Sequence, residues 1–156
     1  MMTPIGPLLI TASDRGLQKV EFISGREFAK EEKSITLQKK KARYLKKAKK
    51  QLDEYFLGKR KSFRLPLDLM GTDFQLKAWK ALQTIPYGQT VSYGEQAQRM
   101  HKKGAQRAVG GANNKNPISI IVPCHRVIGK SGDLVGYGGG LKVKKWLLEH
   151  EQALQN

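Results

Sequence analysis

Apolar and polar positions change period several times along the 156-residue chain, and each change marks an element. Residues 7–12 and 17–23 are apolar-rich runs separated by Ser13, Asp14, Arg15 and Gly16, which predicts a β-hairpin. Residues 24–35 mix charges without a sustained period and read as a loop. Over residues 37–57 the period becomes helical: Leu45, Ala48, Leu52, Tyr55 and Phe56 fall at three- and four-residue steps, and Gly58 is placed to cap the C-terminus. Residues 62–67 are a short strand candidate.

Gly71, Thr72 and Asp73 open a second helix that the pattern carries to about Thr84, with Phe74, Ala78, Trp79 and Leu82 as its buried stripe. Pro86, Tyr87 and Gly88 end it. Ser92 and Glu95 have capping-box spacing for a helix to about Met100, residues 101–104 form a turn, and residues 105–113 form another helix. Helix, short glycine-containing turn and helix is a helix-turn-helix layout, although many helical hairpins share it. The apolar run 118–122 predicts a buried strand that Pro123 ends, leaving Cys124 at a sharp chain reversal. Residues 141–152 are periodic through Leu141, Trp146, Leu147 and His150. The loop at 68–71 divides the chain into an α/β domain, residues 1–68, with a short antiparallel sheet and a helix, and a mainly helical domain, residues 72–154.

Composition narrows the classes. A hydrophobic share of 39% supports a modest core, and no apolar run reaches the length needed to span a membrane. The first residues lack the layout of a signal peptide. One cysteine, Cys124, excludes an internal disulfide or a site built on two thiolates, and a lone thiol suits a reducing compartment. The expectation is a soluble, cytoplasmic protein. Against 13 acidic residues stand 29 Lys and Arg, a net charge of +16, which attracts polyanions, nucleic acid above all. A merely basic soluble protein or a membrane-surface binder would share that charge. Residues 39–50 alone hold eight basic residues and no acid, readable as a DNA-approach surface or as a solvated helix face.

The chemistry centres on Cys124. Most lone cysteines are small buried hydrophobes, but His125 is adjacent, and a thiol of ordinary pKa needs such a base to react near neutrality. Glu149 and Glu151 lie on the last helix, where a carboxylate bonded to His125 would fix its tautomer and raise its basicity. Between them, six glycines in residues 129–140 let backbone approach a flat ligand, and Tyr137 offers a stacking face; a flexible loop would look the same. Gly110 and Gly111 in mid-helix suggest close approach of another surface to the backbone, whether DNA or a packed helix. Arg107 near the start of that helix could reach into DNA or form a surface salt bridge.

Pro123-Cys124-His125-Arg126-Val127, preceded by Asn116-Pro117 and followed by Gly136-Tyr137-Gly138-Gly139-Gly140-Leu141, resembles the active-site signature of O6-alkylguanine-DNA alkyltransferases. The likeness continues through Arg107-Ala108-Val109-Gly110-Gly111-Ala112, Pro86-Tyr87-Gly88, Gly71-Thr72-Asp73-Phe74-Gln75 and Tyr55-Phe56-Leu57-Gly58, and so covers roughly residues 52–152. It implies a ribonuclease-H-like first domain and a winged-helix-like second domain whose helix-turn-helix enters the minor groove. It also implies irreversible, single-turnover transfer of an alkyl group from guanine O6 in double-stranded DNA to Cys124. By position, His125 corresponds to the histidine that deprotonates the cysteine through a water, and Glu151, not Glu149, to the acid behind it. Asn116 corresponds to the asparagine that braces the active-site turn, and Tyr93 to the tyrosine that helps rotate the nucleotide and donates a proton toward guanine. Arg107 corresponds to the arginine that fills the gap in the duplex, with Ala108, Gly111, Asn113, Asn114 and Lys115 along the same DNA-facing helix. Val127, Tyr137 and Gly138 correspond to the pocket for the everted base.

This chain lacks the amino-terminal zinc ligands of some members, so no metal and no cofactor are expected. Asn113 and Asn114 bring no positive charge to the end of the DNA-facing helix, where Lys115 offers one. A monomer is expected, with cooperative loading on DNA left open. Two rival readings remain at this point: a cysteine hydrolase using Cys124 and His125, and a helix-turn-helix or alkylated-base-binding protein without repair activity.

Overall fold

The computed structural model describes residues 1–27 and 39–153. They divide into two units, one of residues 1–69 with Pro117–Ser119, the other of the described residues from Met70 to Asn116 and from Ile120 on. Among the described residues no helix is long and apolar enough to cross a membrane.

In the first unit, strands β1 (Met2–Thr3), β2 (Gly6–Ala12) and β3 (Leu17–Phe22) form an antiparallel sheet in the order β1-β2-β3. Leu8 pairs with Phe22 and Ile10 with Val20, and a bulge at Thr11/Ala12 brings Ala12 opposite Leu17. The turn closes through Ser13 N–H on Gly16 O at 2.8 Å. A Cβ on Gly16 would lie 2.5 Å from Pro66 O, so only glycine lets the hairpin approach that segment. Helix α1 (Lys39–Phe56) seats Ala48, Gln51, Leu52 and Tyr55 inward. Gln51 exchanges two hydrogen bonds with the backbone of Arg64, at 3.0 and 2.9 Å. Gly58, at φ +75, ends the helix as the pattern predicts.

Three expectations need correction here. Residues 62–67 form no strand; the segment has no regular structure and meets the sheet in a single bridge, Leu17 to Leu67. The loop expected over 24–35 is helical at residues 25–27, where Ser24 and Glu27 exchange capping hydrogen bonds of 2.8 and 3.2 Å; the rest of that loop, from residue 28, lies outside the described residues, as do 37 and 38 of the expected helix. The apolar run 118–122 is no strand either. Ile118 bridges Val20, and the chain then turns, with Ile120 at φ +71. Ile118, Ile120 and Val122 are apolar because they are buried, and a short buried run looks alike whatever its backbone. Hydrogen bonds from Val20 N–H to Pro117 O and from Ser119 N–H to Val20 O draw Pro117–Ser119 into the first unit.

The second unit packs α2 (Asp73–Leu82), α3 (Tyr93–Arg99), α4 (Gln106–Asn114) and α5 (Leu141–His150) around Trp79, Leu82, Ile85, Val109 and Leu147. Capping boxes start α2, at Thr72 and Gln75, and α3, at Ser92 and Glu95. Trp79 Nε1 donates to Ala112 O at 2.9 Å, joining α2 to α4. Strand β4 (Val91–Ser92) pairs in parallel with β5 (Val127–Ile128), setting the residues after Cys124 beside the start of α3.

Candidate active site and nucleic-acid interface

The chain reverses at Cys124 in a single 3-10 turn, Cys124–Arg126. Two groups brace it: Cys124 N–H donates to Val122 O at 2.9 Å, and Asn116 Nδ2 donates to the same carbonyl at 2.8 Å. The left-handed conformation of Ile120, costly for a β-branched residue, lies in the segment held between Asn116 and that turn. Cys124 itself is half-buried, neither sealed in the core nor open.

Behind the turn, His125 and Glu151 are fully buried side chains, and His125 Nε2 lies 2.7 Å from Glu151 Oε2. Arg126 forks onto the same carboxylate, Nε to Oε1 at 2.8 Å and Nη2 to Oε2 at 3.1 Å, while its Nη1 donates to Ile85 O at 2.7 Å. Burial alone would raise the Glu151 carboxyl, but hydrogen bonds and charge from His125 and Arg126 hold it well below the usual carboxylate range. An ionised Glu151 only accepts, so His125 Nε2 carries the proton and Nδ1 keeps its lone pair. Nδ1 is buried and has no hydrogen-bond partner among the described residues.

Burial also lowers the His125 pKa, against the opposing pull of Glu151, so the imidazole rests neutral. Burial raises the Cys124 thiol, and a hydrogen bond from the Asn116 side chain and the charge of Lys144 offset this only in part. The resting pair is therefore thiol and neutral imidazole, a base with an open nitrogen beside a nucleophile that still holds its proton.

Lys144, like Arg126, is a residue the sequence reading missed. Its side chain is wholly buried, and Nζ donates to Val127 O at 2.6 Å, Val135 O at 2.9 Å and Gly136 O at 3.4 Å. Burial lowers it to about 8, with Cys124 pulling the other way. The inward face of α5 and its cap is Lys144, Leu147, Leu148 and Glu151; of the expected stripe Leu147 is buried, Trp146 and His150 are half-buried and Leu141 is exposed. The signal was present, since 144, 147, 148 and 151 have helical spacing. Glu149 faces outward and pairs with Lys145 at 3.8 Å.

Tyr93, the first residue of α3, packs its ring within 3.7 Å of where a Gly110 Cβ would sit and donates its hydroxyl to Val135 O at 2.9 Å. Burial, then Cys124, raises its pKa. Its partner loop turns at Gly136, φ +57, and Tyr137 is half-buried there while Gly138 is open. Val127 is sealed in the core, so what it offers a pocket is backbone, and its carbonyl already binds Lys144.

On α4, Arg107, Ala108, Gly111 and Asn114 are exposed, as is Lys115 just beyond it, and nothing lies within 4 Å of a Cβ on Gly111. Asn113 does not share this face. It is buried and exchanges two hydrogen bonds with Gln96, at 3.0 and 2.8 Å, so its amide is a core strut and not a DNA contact. Among the described residues no cluster of three or more His, Cys, Asp or Glu side chains could hold a metal ion.

Known proteins match both halves of the chain. Residues 73–153 match the family model of the 6-O-methylguanine DNA methyltransferase DNA-binding domain, and residues 1–69 that of its ribonuclease-like domain. The methylated-DNA–protein-cysteine methyltransferase of Methanosarcina barkeri is 47% identical over 96% of this chain and 93% of its own. Its counterpart in Mycobacterium leprae is 47% identical over 97% of this chain and 90% of its own. The crystal structure of Mycobacterium tuberculosis O6-methylguanine methyltransferase superposes with a TM-score of 0.82 at 45% identity, covering 97% of this chain and 90% of that one. A structure of the M. tuberculosis protein in complex with DNA gives 0.81 at 44% identity over the same shares. With both halves matched in order, the chain belongs to the 6-O-methylguanine DNA methyltransferase family.

Proposed function

We propose that this protein repairs DNA directly by moving an alkyl group from guanine O6 to Cys124, once per molecule. The observation that carries the reading is the buried His125–Glu151 pair, which leaves a neutral imidazole with an open nitrogen on the residue that follows half-buried Cys124, the only cysteine of the chain. His125 Nδ1 takes the thiol proton, directly or through one water, and Glu151 stabilises the imidazolium that results. Sulfur attacks the alkyl carbon; the carbon–sulfur bond forms as the carbon–O6 bond breaks, and the electron pair leaves with guanine. Lys144 stabilises the transient thiolate. Tyr93 supplies a proton toward the guanine ring once its hydroxyl leaves Val135 O. The thioether has no hydrolytic exit, so the protein is spent.

Double-stranded DNA meets the open face of α4, where Ala108 and Gly111 admit the minor-groove wall and Arg107 enters the stack behind the everted nucleotide. Extrusion costs a few kcal/mol, offset by Asn114 and Lys115 contacts and by a pocket of Tyr137, Gly138 and the Val127 backbone. The protein works as a monomer without a cofactor, in the reducing cytoplasm that a free thiol suits.

The test is a duplex with one O6-methylguanine, followed by nucleoside chromatography. One guanine should be regenerated per protein molecule and no more. Continued turnover, or a complex with no guanine formed, would overturn the reading.

A further inference from the structure

The cationic face of α1 is left over by the chemistry above. Residues 39–50 carry eight basic side chains and no acid. Lys40, Arg43, Lys46, Lys47, Lys49 and Lys50 are exposed, and among the described residues none of them lies within 4.0 Å of a carboxylate. At 100° per residue, Lys40, Arg43, Lys46, Lys47 and Lys50 fall within an arc of about 120°, turned away from the buried Ala48, Gln51, Leu52 and Tyr55.

This face is unfavourable for the helix that bears it. Arg43 and Lys47, and Lys46 and Lys50, are like charges four residues apart, and Lys46 with Lys49 and Lys47 with Lys50 are three apart; each such pair destabilises an isolated helix. The first turn holds cations and no acid, opposing the helix dipole. A surface that only needed solubility would mix signs, as the end of the same helix does with Asp53 and Glu54. A bound row of negative charges removes every one of these penalties at once. Successive cations on one helix face lie about 6 Å apart along the axis, a spacing suited to a phosphodiester backbone.

We propose that this face of α1 is a second DNA-docking surface that grips the phosphate backbone of duplex DNA without regard to sequence or lesion. It rests on the reading that duplex DNA is the partner, but not on the chemistry at Cys124. It raises residence on undamaged duplex, where the protein must search, and makes binding steeply salt-dependent through counterion release.

The test begins with the native protein and a lesion-free duplex at low salt, acylated with an amine-reactive reagent and mapped by peptide mass. Lys40, Lys46, Lys47 and Lys50 should lose most of their reactivity on DNA while exposed Lys59 keeps its own. Equal reactivity with and without DNA overturns the proposal. A variant with Lys40, Arg43, Lys46, Lys47 and Lys50 changed to Gln then gives the energetics. Its plot of log affinity against log salt should be shallower by about 2 to 4, each lost phosphate contact removing about 0.9. Its reaction with the free O6-alkylguanine base should be unchanged, which also shows it folded. An unchanged salt slope overturns the proposal, as does a variant that keeps its DNA slope but loses binding to phosphatidylserine vesicles. None of these results touches the methyl acceptor, so failure here leaves the repair reading standing.

Discussion

Glu151 holds His125 through a 2.7 Å hydrogen bond while Arg126 clamps the opposite side of the same carboxylate at 2.8 Å. One buried anion thus sets the tautomer of the base and neutralises a buried guanidinium. Replacing Glu151 by Gln keeps the shape but strands Arg126 and frees the imidazole to invert. Alkyl transfer should slow about 100-fold or more, and stability should fall by about 3–5 kcal/mol. Single-turnover kinetics and urea unfolding measure the two losses separately.

The same network makes the fold acid-sensitive. The His125 pKa is lowered from an ordinary 6.5, so below that pH the unfolded chain takes up a proton that the folded protein refuses. The Glu151 pKa is lowered from 4.5, so below that pH the unfolded chain protonates a carboxylate that stays ionised in the fold. Both effects remove stability as pH falls, the first below about 6.5 and the second below about 4.5. The urea midpoint should decline in two stages on acidification from neutral pH. His125→Asn should abolish the upper stage.

Lys144, after Asn116, partly offsets the upward shift that burial gives the Cys124 thiol. Changing Lys144 to Met keeps the volume but removes the charge that partly offsets the burial of Cys124 and leaves the carbonyls of Val127 and Val135 unpaired. The pH at which iodoacetamide alkylates Cys124 at half its maximal rate should move up in Lys144→Met. No movement would mean that Lys144 serves only to tie the loop.

These cases show what could be read in the chain. Gly71, Thr72 and Asp73 announce α2, and the capping pair Ser92 with Glu95 announces α3, because the signal is local and chemical. The run 118–122 misleads because burial, not backbone, makes it apolar. Cys124, His125 and Glu151 are legible through their neighbours, whereas Lys144 hides: a cation on an inward face makes sense only once three carbonyls are seen to meet it. Asn113 was misplaced on the DNA face because its partner, Gln96, comes from a different helix.

Gly111 separates stability from binding. With nothing within 4 Å of a Cβ there, Gly111→Ala should stabilise the protein by about 0.5–1 kcal/mol. A larger side chain such as Gln should be tolerated by the fold yet weaken duplex binding, while reaction with the free alkylated base persists. Thermal melts and filter binding give the two readings, and unchanged duplex affinity would place DNA elsewhere.

The alkyl group should end on Cys124. The native protein and Cys124→Ala are each mixed with excess duplex bearing O6-methylguanine, digested, and mapped by mass. One methyl group is expected, at full stoichiometry, on the peptide containing Cys124, and none anywhere in the variant. Methyl on another residue, or lesion loss without any methyl on the protein, would contradict it.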